Sequence, residues 1–342
     1  MRTIVIGWVL LLGVFAVSAQ TLGGSSVFNF LNQSNTAQLS ALGGMNVSAI
    51  GKDVGLSFNN PALLRNEMQG QFNVSFNDFL AGIKNYSFVS AFHLNRLDAN
   101  LSAGVNYFDY GTIPQTDAAG NILGSFHPND YVVQVSGSKQ YKDNWWFGTT
   151  LKFISSSYSQ YKSNGVALDV GVAYYDSARQ IQASMVVKNM GTQLKTYDGS
   201  GNKEELPFDM ELGVTKRLAK APIQFSLTAH HLQQLNIFYN DSAFNASEGN
   251  VNQSSSLGNK IFTHLVFAAQ VFINDKLEIT SGYNFLRRTD LDAYNTANGL
   301  NGFTLGLGVL LKKLHIRYAT GFYQQNLFHQ LSLNMNWKGS EL

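Results

Sequence analysis

Asp209 and Glu211 stand two residues apart, which in extended chain puts both carboxylates on one face about 7 Å apart. Carboxylate pairs at such separations do acid–base work in glycoside hydrolysis. Shared placement does not by itself perturb acidity. Lys152, Lys188 and Arg317 occupy the matching face of their own segments. The two acids therefore read as charge balance in a polar interior. Seven histidines fall at positions 93, 127, 230, 231, 264, 315 and 329. His230 and His231 are neighbours, and neighbouring side chains in a strand face opposite ways, so the pair is not expected to hold one ion. The chain has no cysteine, which excludes a disulfide framework, a thiolate zinc site and a cysteine nucleophile. Leu305-Gly306-Leu307-Gly308 lacks the third glycine and the helix of a dinucleotide loop. Ser155 to Ser157 lacks the glycines of a nucleophile elbow. No catalytic residue, cofactor or metal is expected, and the protein reads as a non-enzyme.

The elements that carry these residues are unusual in composition. Only 13% of the 342 residues are charged, against about 25% in soluble domains. Aromatic residues make up another 13%, with 31 glycines and 5 prolines. Such a surface suits a non-aqueous neighbour. The net charge of +2 gives no basic footprint for nucleic acid. A positive start at Met1-Arg2, an apolar run over residues 4–17 and Val17-Ser18-Ala19 have the layout of a secretory signal peptide over residues 1–19. Beyond Gln20 no apolar stretch is long enough to span a bilayer as a helix.

From Gln71 to Trp337 the chain is instead a series of period-two segments of about ten residues, the signature of transmembrane barrel strands. Phe72, Val74 and Phe76 alternate with Asn73, Ser75 and Asn77. Val166, Leu168, Val170 and Val172 alternate with Ala167, Asp169 and Gly171, and the last segment carries Leu331, Leu333, Met335 and Trp337. Fourteen such segments are read, with no charge in the middle of any apolar face. Tyr86, Tyr107, Trp145, Tyr174 and Trp337 lie near segment ends and suit interfacial girdles. Connections after even-numbered segments are short, while several after odd-numbered ones are long, at 109–130, 191–206, 233–261 and 287–301. Membrane barrels sort turns and loops in this way. The expected fold is all-β: a 14-stranded antiparallel transmembrane β-barrel over residues 71–338, with a tail at 339–342. Residues 20–70 do not alternate. They carry Gly43-Gly44 and Asn59-Asn60-Pro61-Ala62-Leu63, turn and close-approach signals that suit an N-terminal hatch packed within the barrel.

Ala41-Leu42-Gly43-Gly44 and Asn59-Asn60-Pro61-Ala62-Leu63, followed by fourteen strands, resemble the FadL-like outer-membrane family. Within it the chain is similar to the PorV/PorQ branch of the type IX secretion system of Bacteroidota, on Gly23 to Leu31, Val187-Lys188-Asn189-Met190-Gly191, Leu206-Pro207-Phe208, Thr228 to Leu232, His264 to Phe267 and Gly299 to Phe303. The resemblance implies an exported, integral subunit of the attachment complex, with a PorZ-like surface protein as partner and PorU and PorV components beside it. It also implies outer-membrane lipid and anionic lipopolysaccharide as neighbours, a scaffolding role, and no cofactor. A FadL-type channel for hydrophobic small molecules and a PorV-like cargo shuttle are the alternatives. For the channel, inward glycines (Gly104, Gly148, Gly171, Gly213, Gly282) are candidate sites of a wall kink. Hatch positions expected to matter are Gly43, Gly44, Asn59, Asn60, Pro61 and Leu63. Expected extracellular contacts are Tyr110, Ile113, Phe126, Phe238, Tyr239, Phe244, Arg287 and Arg288, the arginines also suiting phosphate.

Overall fold

The computed structural model describes residues 26–237, 256–291 and 299–337. The expected signal peptide, the tail, and the loop residues Phe238, Tyr239 and Phe244 lie outside them. Fourteen antiparallel strands close into one barrel. In chain order they are β1 (Gln71–Asp78), β2 (Lys84–Leu94), β3 (Ala99–Asp109), β6 (Asn129–Tyr141), β7 (Trp145–Tyr158), β8 (Tyr161–Asp176), β9 (Ile181–Lys195), β10 (Asp209–Arg217), β11 (Ile223–Ala229), β12 (Leu265–Ile273), β13 (Leu277–Asn284), β14 (Phe303–Leu310), β15 (Leu314–Tyr323) and β16 (Asn326–Asn336). β1 pairs with β16 in unbroken register from Gln71↔Asn336 to Asp78↔His329, which closes the cylinder. A separate hairpin, β4 (Ile113–Thr116) and β5 (Ile122–Phe126), rises from the β3–β6 connection. Each expected segment is a strand; the hairpin is additional.

The pleat sorts side chains inside out relative to a soluble protein. On β6, outward Val133 and Val135 are 45% and 51% exposed, while inward Gln134 and Ser136 are 3% and 1% exposed. Leu151 and Leu307, on opposite walls, are outward at 63% and 61%. A Lys or Arg at such a midplane position costs about 2–4 kcal/mol in a bilayer. The outward mid-strand positions of the described strands carry no Lys, Arg, Asp or Glu. No described helix is long and apolar enough to cross a membrane; the strands do so.

The two ends of the barrel differ. At one, connections are tight: the β12–β13 turn takes positive φ at both Asn274 and Asp275, the backbone of a two-residue hairpin turn. At the other end are the long connections, with helix α2 (Leu257–Thr263) before β12 and α3 (Phe285–Leu291) after β13. Phe262 and Phe285 bring these helices together, their ring centroids 5.4 Å apart. Aromatic rings ring both ends. Tyr86 and Tyr107 stand 6.5 Å apart near the loop end, and Trp145 and Tyr174 stand 5.1 Å apart near the turn end.

Residues 26–70 fill the lumen. They contain one short helix, α1 (Ala37–Ala41), capped by Thr36 Oγ1, and 3₁₀ turns at Val54–Phe58 and Pro61–Leu63. Helix α1 packs against β13 to β16, while the Pro61 turn packs on the other side against β6 to β8. Leu39, Leu42, Val54, Leu56, Leu63 and Leu64 form the apolar centre of this hatch. Its polar periphery bonds to the wall. Asn46 Nδ2 donates to Ser226 Oγ at 2.8 Å, Thr304 Oγ1 to Ala41 O at 3.0 Å, and Gln182 Nε2 to Ala49 O at 3.0 Å. Buried polar groups need such partners, so a plug inside a polar lumen must be matched donor to acceptor.

Several of the inward glycines belong to this fit. A Cβ at Gly282 would overlap the backbone at Gly43 and Leu42, and one at Gly148 would overlap the Pro61–Ala62 peptide. A Cβ at Gly213 would come within 2.8 Å of Val47 Cγ2. At Gly148 and Gly282 the wall lacks a side chain where hatch backbone presses against it.

Candidate functional site

Above the hatch, on its loop-end side, lies a cavity of about 210 Å³. Leu31, Leu39, Met45 and Phe58 of the hatch and Val132 of the wall supply its apolar lining. The rest is charged: Lys152, Lys188, Asp209 and Glu211, with His231 at the rim. The amines are paired. Lys152 Nζ sits 2.7 Å from Asp169 Oδ2 and donates to Asn189 Oδ1 at 2.9 Å. Lys188 Nζ donates to Glu211 Oε1 at 3.1 Å and to Asn59 Oδ1 of the hatch at 2.8 Å. Asp209 and Glu211 thus share one face, as read from the sequence, but serve ion pairs and loop anchoring. Glu211 Oε2 is buried with no hydrogen-bond partner among the described residues.

Lys188 and Asn189 owe their joint inward aim to a bulge. Leu168 pairs with Met190 and Val170 with Val187, so Lys188 and Asn189 together oppose Asp169. Asn189 takes φ of +57°. Its N–H donates to Asp169 Oδ1 and its Nδ2 to Pro207 O, both at 2.8 Å. A bulge re-aims one side chain and adds local twist. Here it adds Asn189, which accepts from Lys152 Nζ, behind the cavity wall within the Val187–Gly191 segment.

A second buried lock ties the hatch to the turn-end half of the barrel. Arg317 Nη1 donates to Asp53 Oδ2 at 2.6 Å, and Nη2 to Glu278 Oε2 at 3.2 Å. Asp53 also accepts from Gly55 N–H at 2.8 Å, capping its 3₁₀ turn. The sequence places Arg317 in the lumen; its hatch partner Asp53 is found only in the folded chain.

The expected hatch residues converge on these contacts. Gly43 and Gly44 have φ of +94° and +95°. Asn60 Oδ1 accepts from Ala62 N–H at 2.9 Å and its Nδ2 donates to Val47 O at 2.8 Å, with Pro61 opening the turn and Leu63 buried beneath it. Asn59 reaches the cavity.

The expected outer contacts divide. Ile113 is exposed, and Ile122 and Leu123 at the hairpin tip are 74% and 66% exposed. Phe126 is half-buried. Tyr110 instead turns inward: its hydroxyl donates to Asp130 Oδ2 at 2.6 Å, beside Tyr158, and its ring stacks on Phe108. Burial pushes its phenol above the usual range, and that of nearby Tyr197 up to about 12. Arg287, at the foot of α3, lies over the Tyr323 ring at 5.1 Å and against Gly44, where a Cβ would overlap its guanidinium. It struts the hatch rather than extending into solvent. Arg288 is half-buried on the same helix.

The structure also overturns the expectation that His230 and His231 face apart. β11 ends at Ala229, and His231 takes a left-handed φ of +54°. The two Nδ1 atoms approach to 2.5 Å. His231 N–H donates to Asp209 Oδ1 at 2.6 Å, and the His231 ring lies 3.6 Å from Asp209 Oδ2. Burial lowers both rings' basicity, His231 to about 4 and His230 well below its usual value, so both are neutral at pH 7.

No protein-family model and no curated protein sequence matches the chain. Solved structures do. A deltaS2 mutant of the TodX monoaromatic hydrocarbon channel superposes with a TM-score of 0.50 at 13% identity, covering 89% of this chain and 97% of its own. A deltaS2S3 mutant of the same channel gives 0.51 at 14% identity, covering 89% and 99%. At such identity the likeness carries architecture alone, and the architecture agrees with the closed barrel described above. In fold, the chain is a closed 14-stranded antiparallel transmembrane β-barrel, similar in architecture to the TodX channel structures.

Proposed function

We propose that the protein is an outer-membrane scaffold of a type IX secretion attachment complex, holding a PorZ-like surface subunit at its loop end, beside PorU and PorV components. The reading rests on the sequence resemblance and on one structural observation. The lumen is occupied by a hatch matched to the wall, whereas the β4–β5 hairpin presents Ile113, Ile122 and Leu123 outward. An exposed apolar tip on a rigid ribbon is a surface a partner can bury. The role is scaffolding without catalysis, and the buried lysines and the carboxylates paired with them serve structure. Replacing residues 113–126 with a short Gly-Ser turn tests it. Loss of the surface subunit from cells, with the barrel still heat-modifiable in electrophoresis, is expected. Retention of that subunit overturns the reading.

A second reading, a FadL-type channel for hydrophobic small molecules, is favoured by the fold and by the partly apolar cavity above the hatch. The TodX structures carry the description of a monoaromatic hydrocarbon channel. Uptake of a small aromatic hydrocarbon by liposomes containing the protein, above that of empty liposomes, selects this reading. A cargo shuttle would instead co-purify with secreted sorting domains.

A further inference from the structure

We infer that Asp209, His230 and His231 form a binding site for a late first-row divalent transition-metal ion, Zn²⁺ in type, at the edge of the lumenal cavity. One ligand atom from each of the three lies within 4.8 Å of the others. The site does not depend on which function the barrel serves.

Three features of the geometry point there. The Nδ1 atoms of His230 and His231 approach to 2.5 Å. An ordinary hydrogen bond from N–H spans about 2.7–3.2 Å. Two ring nitrogens this close must share a proton or a cation. The backbone arranges the encounter: β11 ends at Ala229, and the left-handed φ of +54° at His231 brings its ring back toward His230. The carboxylate is also pre-oriented. Asp209 Oδ1 is held by the His231 N–H, which leaves Oδ2 facing the ring at 3.6 Å.

Zinc bonds to N and O are about 2.0–2.2 Å long, so tetrahedral ligand atoms stand about 3.3 Å apart. The His231–Asp209 edge already fits, and the His230–His231 edge must open by under about 1 Å. In the metal-bound form each imidazole carries its single proton on Nε2 and offers the Nδ1 lone pair to the ion, and Asp209 binds as a carboxylate. His264 is not a ligand: its Nδ1 is engaged by the His230 carbonyl at 2.7 Å, which supports the turn from behind. Asp209 and His231 line the cavity, so a fourth position can be filled by water from that side. Two imidazoles with one carboxylate favour Zn²⁺, Ni²⁺ or Cu²⁺ over Mg²⁺ or Ca²⁺.

The test uses the untagged, full-length protein, purified in detergent and stripped with a chelator. Titration with Co²⁺ should give one saturable site with visible absorption bands, displaced by Zn²⁺ but not by Mg²⁺. His231→Gln and Asp209→Asn should each weaken Co²⁺ binding at least about tenfold, in line with the loss of one ligand. His93→Gln, a histidine near the far end of the barrel, should leave it unchanged. If His231→Gln fails to fold, Asp209→Asn and the wild-type stoichiometry still decide. No saturable binding, or binding equal in wild type and both ligand variants, overturns the site.

Discussion

Arg317 is held between a hatch carboxylate and a wall carboxylate, all three buried. Removing one member of such a cluster leaves charge without a counterion inside protein, typically at about 3–5 kcal/mol. Arg317→Ala is therefore expected to lower unfolding stability in detergent by about that amount, read as a lower urea midpoint. An unchanged midpoint would mean that the cluster carries no net stability. Tyr197 makes a second case. Its phenol donates to Ser156 Oγ at 2.5 Å, and burial pushes it up to about 12. The folded phenol keeps its proton where the unfolded one releases it near about pH 10. Its contribution is thus complete below about pH 10 and lost as pH rises through about 12. Wild type should lose more thermal stability than Tyr197→Phe between about pH 9, below that window, and about pH 11, inside it. Parallel pH curves for the two would contradict the assignment.

The strands were legible because two solvents act on alternate residues. Lipid selects Val133, Val135 and Leu151, while the lumen selects Gln134, Ser136 and Lys152, so period two runs along the wall segments and breaks at the β9 bulge. The sorting of long and short connections fixed the same count independently. What sequence did not reveal depends on neighbours distant in the chain. Lys188 and Asn189 are both polar, and either could face inward; that both do follows from the register with β8. His230 and His231 meet because β11 stops one residue earlier and the next turn is left-handed. The β4–β5 hairpin did have a local signal, since Asp117 and Gly120 punctuate two short β-prone runs, with Asp117 Oδ1 accepting from Asn121 N–H at 2.8 Å. The inward glycines were visible, but their use was not. Gly282→Val should therefore dislodge the hatch rather than straighten a kink, and planar-bilayer conductance should rise above that of wild type. Conductance at the wild-type level with the hatch in place would contradict the close approach.

At the scale of the molecule, the claim on which the rest depends is that hydrocarbon surrounds the barrel and polar matter fills it. The inverted burial pattern, the absence of charge at outward mid-strand positions and the two aromatic girdles agree on this. A polar lumen also explains the hatch, because a plug rich in Ser, Asn and Gln finds partners there that lipid would not supply. The lack of native cysteine permits a direct measurement. Single cysteines replacing Leu151, Leu307 and Val135 on the outer face, and Gln134 and Thr150 on the inner face, can be spin-labelled in reconstituted bilayers. Collision with oxygen, which concentrates in hydrocarbon, is then compared with collision with a water-soluble nickel chelate. The outer three should be reached by oxygen in preference to the chelate, and the inner two should be shielded from oxygen. Preferential access of the chelate to Leu151→Cys and Leu307→Cys would contradict a membrane-embedded barrel.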